Sequence, residues 1–314
     1  MPQQQTTPKK TSIGGQALIE GVMMRGPQKT AMAVRHVSGR IVLEEFENKI
    51  TKSRVRRIPL IRGVVNMVES MALGYKCLMR SAEMAGLEDE EDDKPQSRAE
   101  QFLMSLLMVL SLVIGVALAV GLFIYLPAFL YGLIVKAAPS MENRLLRSVF
   151  EGLLRIVLFV AYMLLVSLMK DMRRVFQYHG AEHKTIFCYE AGEELTVENV
   201  RRQPRHHPRC GTSFLFVVII ISIILSVALF TPLEISNVWL RMALHLLLLP
   251  VVMGVTYEFN RYVGAHENVF CRILRAPGLW MQNFTTFEPD DSMIEVGIEA
   301  LKAVLPEEHG SDRW

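Results

Sequence analysis

The sequence predicts an α-helical polytopic membrane protein with four transmembrane helices and a cytosolic α+β domain. Three observations predict it. Residues 102–135 carry no charged side chain and 214–230 form a second uncharged block, where a bilayer asks for about 20 consecutive apolar residues per helix. The Lys and Arg residues are segregated: of 34, residues 1–100 hold 16 and 170–213 hold 8, while the connection 136–148 holds 3. Such a bias places the basic regions, and both termini, on the cytoplasmic side. The third is alternation of apolar and polar residues near the N-terminus, which reads as β structure.

Composition narrows the function classes. The chain is 51% hydrophobic and 21% charged, against roughly 25% charged in an ordinary soluble domain, and its long uncharged blocks exclude a purely soluble fold. Four cysteines among 314 residues make no disulfide framework. A net charge of +2, from 34 basic and 32 acidic residues, gives no footprint for a nucleic-acid partner.

Taken in order, residues 1–11 are Pro-, Gln- and Lys-rich and read as a disordered tail without a signal-peptide core. Residues 12–58 read as a cytosolic β-rich segment, with a hairpin of 31–37 and 40–46 about Ser38-Gly39. In 59–86, Val64, Val65, Val68, Met71, Ala72, Tyr75, Leu78 and Met79 fall near one helical face. Arg62, Asn66, Glu69, Lys76 and Arg80 interrupt it, so this helix cannot span. It lies in the membrane interface or serves as a core helix of the cytosolic domain. Residues 87–100 form an acidic linker.

The membrane domain, 101–260, has spans near 102–126, 149–169, 214–230 and 239–257, with 170–213 as its cytosolic loop. Because 34 uncharged residues make roughly 51 Å of helix, the stretch after Pro127 is expected to be interfacial or re-entrant. The cytosolic tail, 261–314, holds a helix at about 290–305. Asp290, Asp291 and Ser292 start it, and Ile294, Ile298, Leu301 and Leu305 face the N-terminal sheet.

The chemistry concentrates in 176–184. His179 and His183 are four apart and project from one helical face, joined by Glu182. This is H-x-x-E-H, in which two His bind zinc and Glu serves as base. Catalytic zinc takes a third protein ligand and keeps one position open. Candidates on the same side are His206, His207, Cys210, Glu258 and His266, with Glu258 foremost and His207 and Cys210 next. A histidine pair that only hydrogen-bonds Glu182 and backbone carbonyls remains the plain structural alternative.

The run Gly14-Gly15-Gln16-Ala17-Leu18-Ile19-Glu20-Gly21-Val22-Met23-Met24-Arg25-Gly26, with Arg62-Gly63-Val64-Val65, the His179–Lys184 motif, His207-Pro208-Arg209-Cys210-Gly211-Thr212-Ser213 and Glu288-Pro289-Asp290-Asp291, resembles the YqhQ-like family of bacterial membrane proteins. The resemblance covers roughly residues 12–305. That family is a domain of unknown function labelled a predicted metal-dependent enzyme, and the resemblance implies a multi-pass protein of the bacterial inner (plasma) membrane. By motif, His179, Glu182, His183, His207, Arg209 and Cys210 match it.

Two functions follow as expectations. One is a membrane-embedded, zinc-dependent hydrolase with Glu182 activating water. The other is a non-catalytic scaffold or accessory factor for membrane-protein biogenesis or transport, with membrane-protein partners or a second copy of itself.

Overall fold

The structure, a computed structural model, describes residues 10–48, 58–87, 98–233, 235, 237–266 and 268–306. Most of the expected N-terminal tail (1–9), most of the acidic linker (88–97) and residues 307–314 lie outside the described residues.

A four-stranded antiparallel meander opens the chain: β1 Gly14–Leu18, β2 Gly21–Arg25, β3 Lys29–Arg35 and β4 Ile41–Glu47, in the order β1-β2-β3-β4. Side chains alternate between faces. Met23, Met32 and Val34 point to one side, and Val22, Met24, Ala31 and Ala33 to the other. Gly39, at φ +85°, turns the chain into β4.

The rest is helical: α1 Ile61–Ala85, α2 Arg98–Val120, α3 Leu126–Ala137, α4 Arg144–Leu168, α5 Lys170–Glu190, α6 Val197–Arg202, α7 Gly211–Phe230, α8 Val238–Ala265, α9 Val269–Thr285 and α10 Asp291–Val304. Helix α1 covers the first sheet face with Cys77, Met84 and Ala85. Helices α5 and α10 cover the second with Tyr178, Ala181, Met293, Val296, Leu301 and Val304. Of the residues expected to place α10 on the sheet, Ile294 and Ile298 instead pack with Cys188 and Val200.

Among the described residues, three helical stretches are long and apolar enough to cross a membrane: Phe102–Ala137, Arg144–Leu168 and Trp239–Ala265. The expected span at 214–230 is the apolar part of the 20-residue α7, about 26 Å of helix against a hydrocarbon core of about 30 Å. It packs among α4, α8 and α9.

The first of these stretches runs past the boundary expected at residue 126. Helix does not give way after residue 126; a π turn at Gly121–Tyr125 carries α2 straight into α3, which runs to Ala137. Pro127 lies two residues past the π turn. Lacking an N–H, it cannot bond the Phe123 carbonyl four residues back, and Arg155 Nε donates to that oxygen instead at 2.9 Å.

Helix α1 turns its larger apolar side chains outward. Val68, Met71, Tyr75 and Met79 are 59%, 61%, 58% and 47% exposed, while the face packed inward is made by Gly63, Gly74, Cys77 and Ser81. At Gly63 an added Cβ would lie 2.7 Å from Tyr257 Cβ, so the glycine lets α1 dock on α8.

Candidate metal centre

Helix α5 presents His179, Glu182 and His183 together, all buried. Gly180, a poor helix former inside this motif, is required by packing. A Cβ there would sit 2.0 Å from the carbonyl oxygen of Phe287. The segment before α10 therefore lies hard against α5, where Phe287 N donates to Phe176 O at 2.9 Å and Lys184 pairs with Glu288.

Each imidazole is anchored through one nitrogen. His179 Nδ1 is 2.8 Å from Thr285 O, and His183 Nδ1 is 2.5 Å from Arg205 O. Carbonyl oxygens only accept, so both rings carry their proton on Nδ1 and turn a lone pair on Nε2 inward. His179 Nε2 lies 3.1 Å from Cys210 Sγ. His183 Nε2 is buried with no hydrogen-bond partner among the described residues.

The ligand atoms of His179, His183 and Cys210 all lie within 4.8 Å of one another, and this cluster could hold a metal ion. In tetrahedral zinc with bonds of about 2.0–2.3 Å, donor atoms stand roughly 3.3–3.7 Å apart. His179 Nε2 and Cys210 Sγ, at 3.1 Å, stand near that separation, the other pairs lie within 4.8 Å, and anchoring each His by its second nitrogen is the usual support of a ligating imidazole.

Cys210 caps the start of α7, where its Sγ accepts from Thr212 N at 3.4 Å. Burial alone would raise its thiol pKa; the neighbouring His179 and His183 outweigh this and hold it well below the ordinary value. For His179 burial pulls the pKa down, but the Cys210 and Glu182 charges and the Thr285 carbonyl push it up to about 9.

Glu182 stands beside the cluster, its Oε2 3.8 Å from His179 Nε2. Burial lifts its carboxyl above the usual carboxylate range, against the lowering pull of both imidazoles and of the Gly15 N–H. A cavity of about 220 Å³ opens next to these groups, lined also by Gly14, Gly15, Arg25, His207 and Arg209.

Of the other expected ligands, His207 lines the cavity with its ring centroid 5.5 Å from that of His183. Glu258 is not brought to the cluster. Arg62 grips both of its carboxylate oxygens, with Nε donating at 2.6 Å, on the α1–α8 seam. His266 is exposed and bonds Tyr262 O. Beside the two histidines, the third candidate donor in the cluster is Cys210, while Glu258 is paired with Arg62.

Helix α9, which the sequence reading passed over, positions two of these residues. Its Thr285 carbonyl orients His179, and the Gln282 amide clamps the His207 backbone from both sides, at 2.7 and 2.8 Å. Asn268 capping Cys271 N at 2.8 Å was the available signal for its start.

Comparison with known proteins finds similarity over most of the chain. A family described as "Protein of unknown function (DUF1385)" matches residues 58–307. The "Uncharacterized protein YqhQ" of Bacillus subtilis (strain 168) is 36% identical over 300 residues, covering 94% of this chain and 92% of that protein. No solved structure matches. On the extent of both matches, the chain belongs to the DUF1385 family of uncharacterised proteins.

Proposed function

We propose that the protein is a multi-pass bacterial inner-membrane metalloenzyme, a hydrolase whose site lies at the cytoplasmic membrane face. The observation that carries it is the unpartnered Nε2 of His183. A buried imidazole nitrogen left without a partner costs stability, and a metal shared with His179 Nε2 and Cys210 Sγ would satisfy it. A bare Cys210–His179 dyad would not.

His179, His183 and Cys210, which line the cavity, would hold zinc. Zinc there supplies Lewis acidity and lowers the pKa of water toward neutrality. Glu182, outside the donor set and held high by burial, accepts a proton from the attacking water and returns it to the leaving group. Helix α1, with its outward apolar stripe, lies along the interface, and α7 makes the fourth span among α4, α8 and α9.

Metal analysis of the detergent-purified full chain tests this. Wild type is expected to retain about one zinc per chain and H183A close to none, while Glu182→Gln keeps its zinc but loses about 10²–10⁴ of any hydrolytic activity found on an ester panel. Equal, negligible zinc in wild type and H183A sinks the reading.

A second reading, a non-catalytic accessory factor, is favoured by α2, whose residues 102–119 are exposed on all sides and free to meet other membrane chains or a second copy. It predicts a stoichiometric partner on gentle extraction and indifference to Glu182→Gln.

A further inference from the structure

We propose that the cavity beside the donor cluster is an oxyanion site, and that the substrate of the proposed hydrolase is a phosphorylated molecule. The reaction rests on the metal reading; the oxyanion binding does not.

Two guanidinium side chains, Arg25 and Arg209, line the cavity with the Glu182 carboxyl and the Cys210 thiol. Arg209 is paired with Glu190. Arg25, the last residue of β2, makes no ion pair among the described residues and is exposed at the cavity rim. Its cross-strand partner is Gly14, where an added Cβ would meet nothing within 4 Å. The sheet therefore holds a cation beside empty space.

His207 supplies a second donor. It is 4% exposed, and its Nδ1 accepts the Arg209 N–H at 3.3 Å, which leaves the proton on Nε2. That Nε2 is buried without a hydrogen-bond partner among the described residues. The nearest carboxylate oxygen, Glu190 Oε2, is 3.8 Å away, beyond hydrogen-bond reach. An unsatisfied buried donor in a native fold calls for an explanation, and an anion in the cavity provides one.

The start of α7, at Cys210 and Gly211 on the same wall, adds the positive end of a helix. Several separated donors suit a tetrahedral phosphate, whose oxygens can address the guanidinium and the imidazole at once. The volume of about 220 Å³ exceeds the roughly 30 Å³ share of one water several-fold, enough for a phosphoryl group and part of its alcohol.

The phosphate has two possible sources, a soluble ester or a phospholipid headgroup. Ser70 and Leu73 of α1 line the cavity, and Val68 and Met71 on that helix are exposed, so the opening adjoins a surface that lipid would touch.

The test is calorimetric titration of the full chain in detergent with inorganic phosphate, with and without zinc, for wild type and Arg25→Gln. The substituted side chain is exposed, so an unchanged melting temperature verifies the fold. Phosphate affinity is expected to fall about tenfold or more in Arg25→Gln at equal zinc content, the scale of one charge-assisted contact. Equal affinity in the two proteins, or binding to neither, overturns the proposal. If neither retains zinc and Arg25→Gln still weakens phosphate binding, the metal reading fails and the oxyanion site stands. Nanodiscs of phosphatidylcholine with and without phosphatidic acid separate the sources. Competition by phosphatidic acid supports the site with a lipid substrate, and undiminished phosphate affinity supports it with a soluble one.

Discussion

Two buried polar clusters occupy opposite ends of the α4–α5 helical pair, and they are closed in different ways. In the first, Glu151 is shared among Arg147 at 3.0 Å, Arg241 at 3.0 Å and Arg155 at 3.9 Å. Ser148 Oγ takes a further donor of Arg241 at 3.1 Å, and the Phe230 ring lies 5.6 Å from its guanidinium carbon. The gap these side chains enclose has no volume for a water. In the second cluster, the protons of His179 and His183 are tied outward to Thr285 and Arg205, so the remaining nitrogens face a cavity of about 220 Å³. Burial of ionisable groups is thus common to both. What distinguishes a ligand site is where the unused donors and lone pairs point.

The largest effect that could break this contrast is Glu151→Leu. It leaves three guanidinium groups without their carboxylate, and loss of one partner from a buried charge network costs about 3–5 kcal/mol. Unfolding in detergent measures it; a variant as stable as wild type would deny that the first cluster is a structural lock. Next is Gly180→Ala. The helix gains about 1 kcal/mol in propensity, but the Cβ meets the Phe287 carbonyl, and overpacking of about 1–3 kcal/mol prevails. A more stable Gly180→Ala would show that the close approach is dispensable. His183→Ala should cost the metal-free protein only about 1 kcal/mol, one hydrogen bond, while removing its metal. That combination is the opposite of the Glu151 case.

A smaller effect comes from pH. Burial pushes His207 below the usual histidine range, helped by the His183 and Arg209 charges and opposed by Glu190. A depressed histidine stabilises the fold above its unfolded pKa of about 6.5 and loses that contribution as pH falls through its folded value. The melting temperature of metal-free protein should therefore decline from pH 7 to 5, and less steeply in His207→Phe; identical slopes would count against this assignment. Smallest of all, Glu258→Gln should leave metal content unchanged. A loss of metal there would restore Glu258 as a ligand.

The parts of this molecule that were legible in sequence are those with a local period. The spacing of His179, Glu182 and His183 survives any fold that keeps α5 helical, and Cys210 was visible as a candidate because its loop returns to the same side. Glu258 misled because separation along the chain says nothing of Arg62, its partner 196 residues away. Helix α9 was hidden because Arg272, Arg275 and Pro277 break its apolar run. The π turn has no signature of its own, and that Arg155 rather than Pro127 donates to the Phe123 carbonyl depends on a partner 32 residues away. In α1 the apolar period was plain, but which way it faces depends on glycines that dock the opposite side on α8 and the sheet.

The anchoring of His179 has a consequence for how the protein is made. Its partner, Thr285, lies 106 residues further along the chain, and the amide that clamps the His207 backbone, Gln282, lies 75 residues beyond it. Chains emerge from the ribosome N-terminus first, so the sheet and α5 are delivered long before α9. During that interval neither ring is oriented. The centre becomes complete only after the last apolar helix has been synthesised and α9 has folded back. Metal capture would then mark the end of assembly, and a chain that stalls earlier would be born without it.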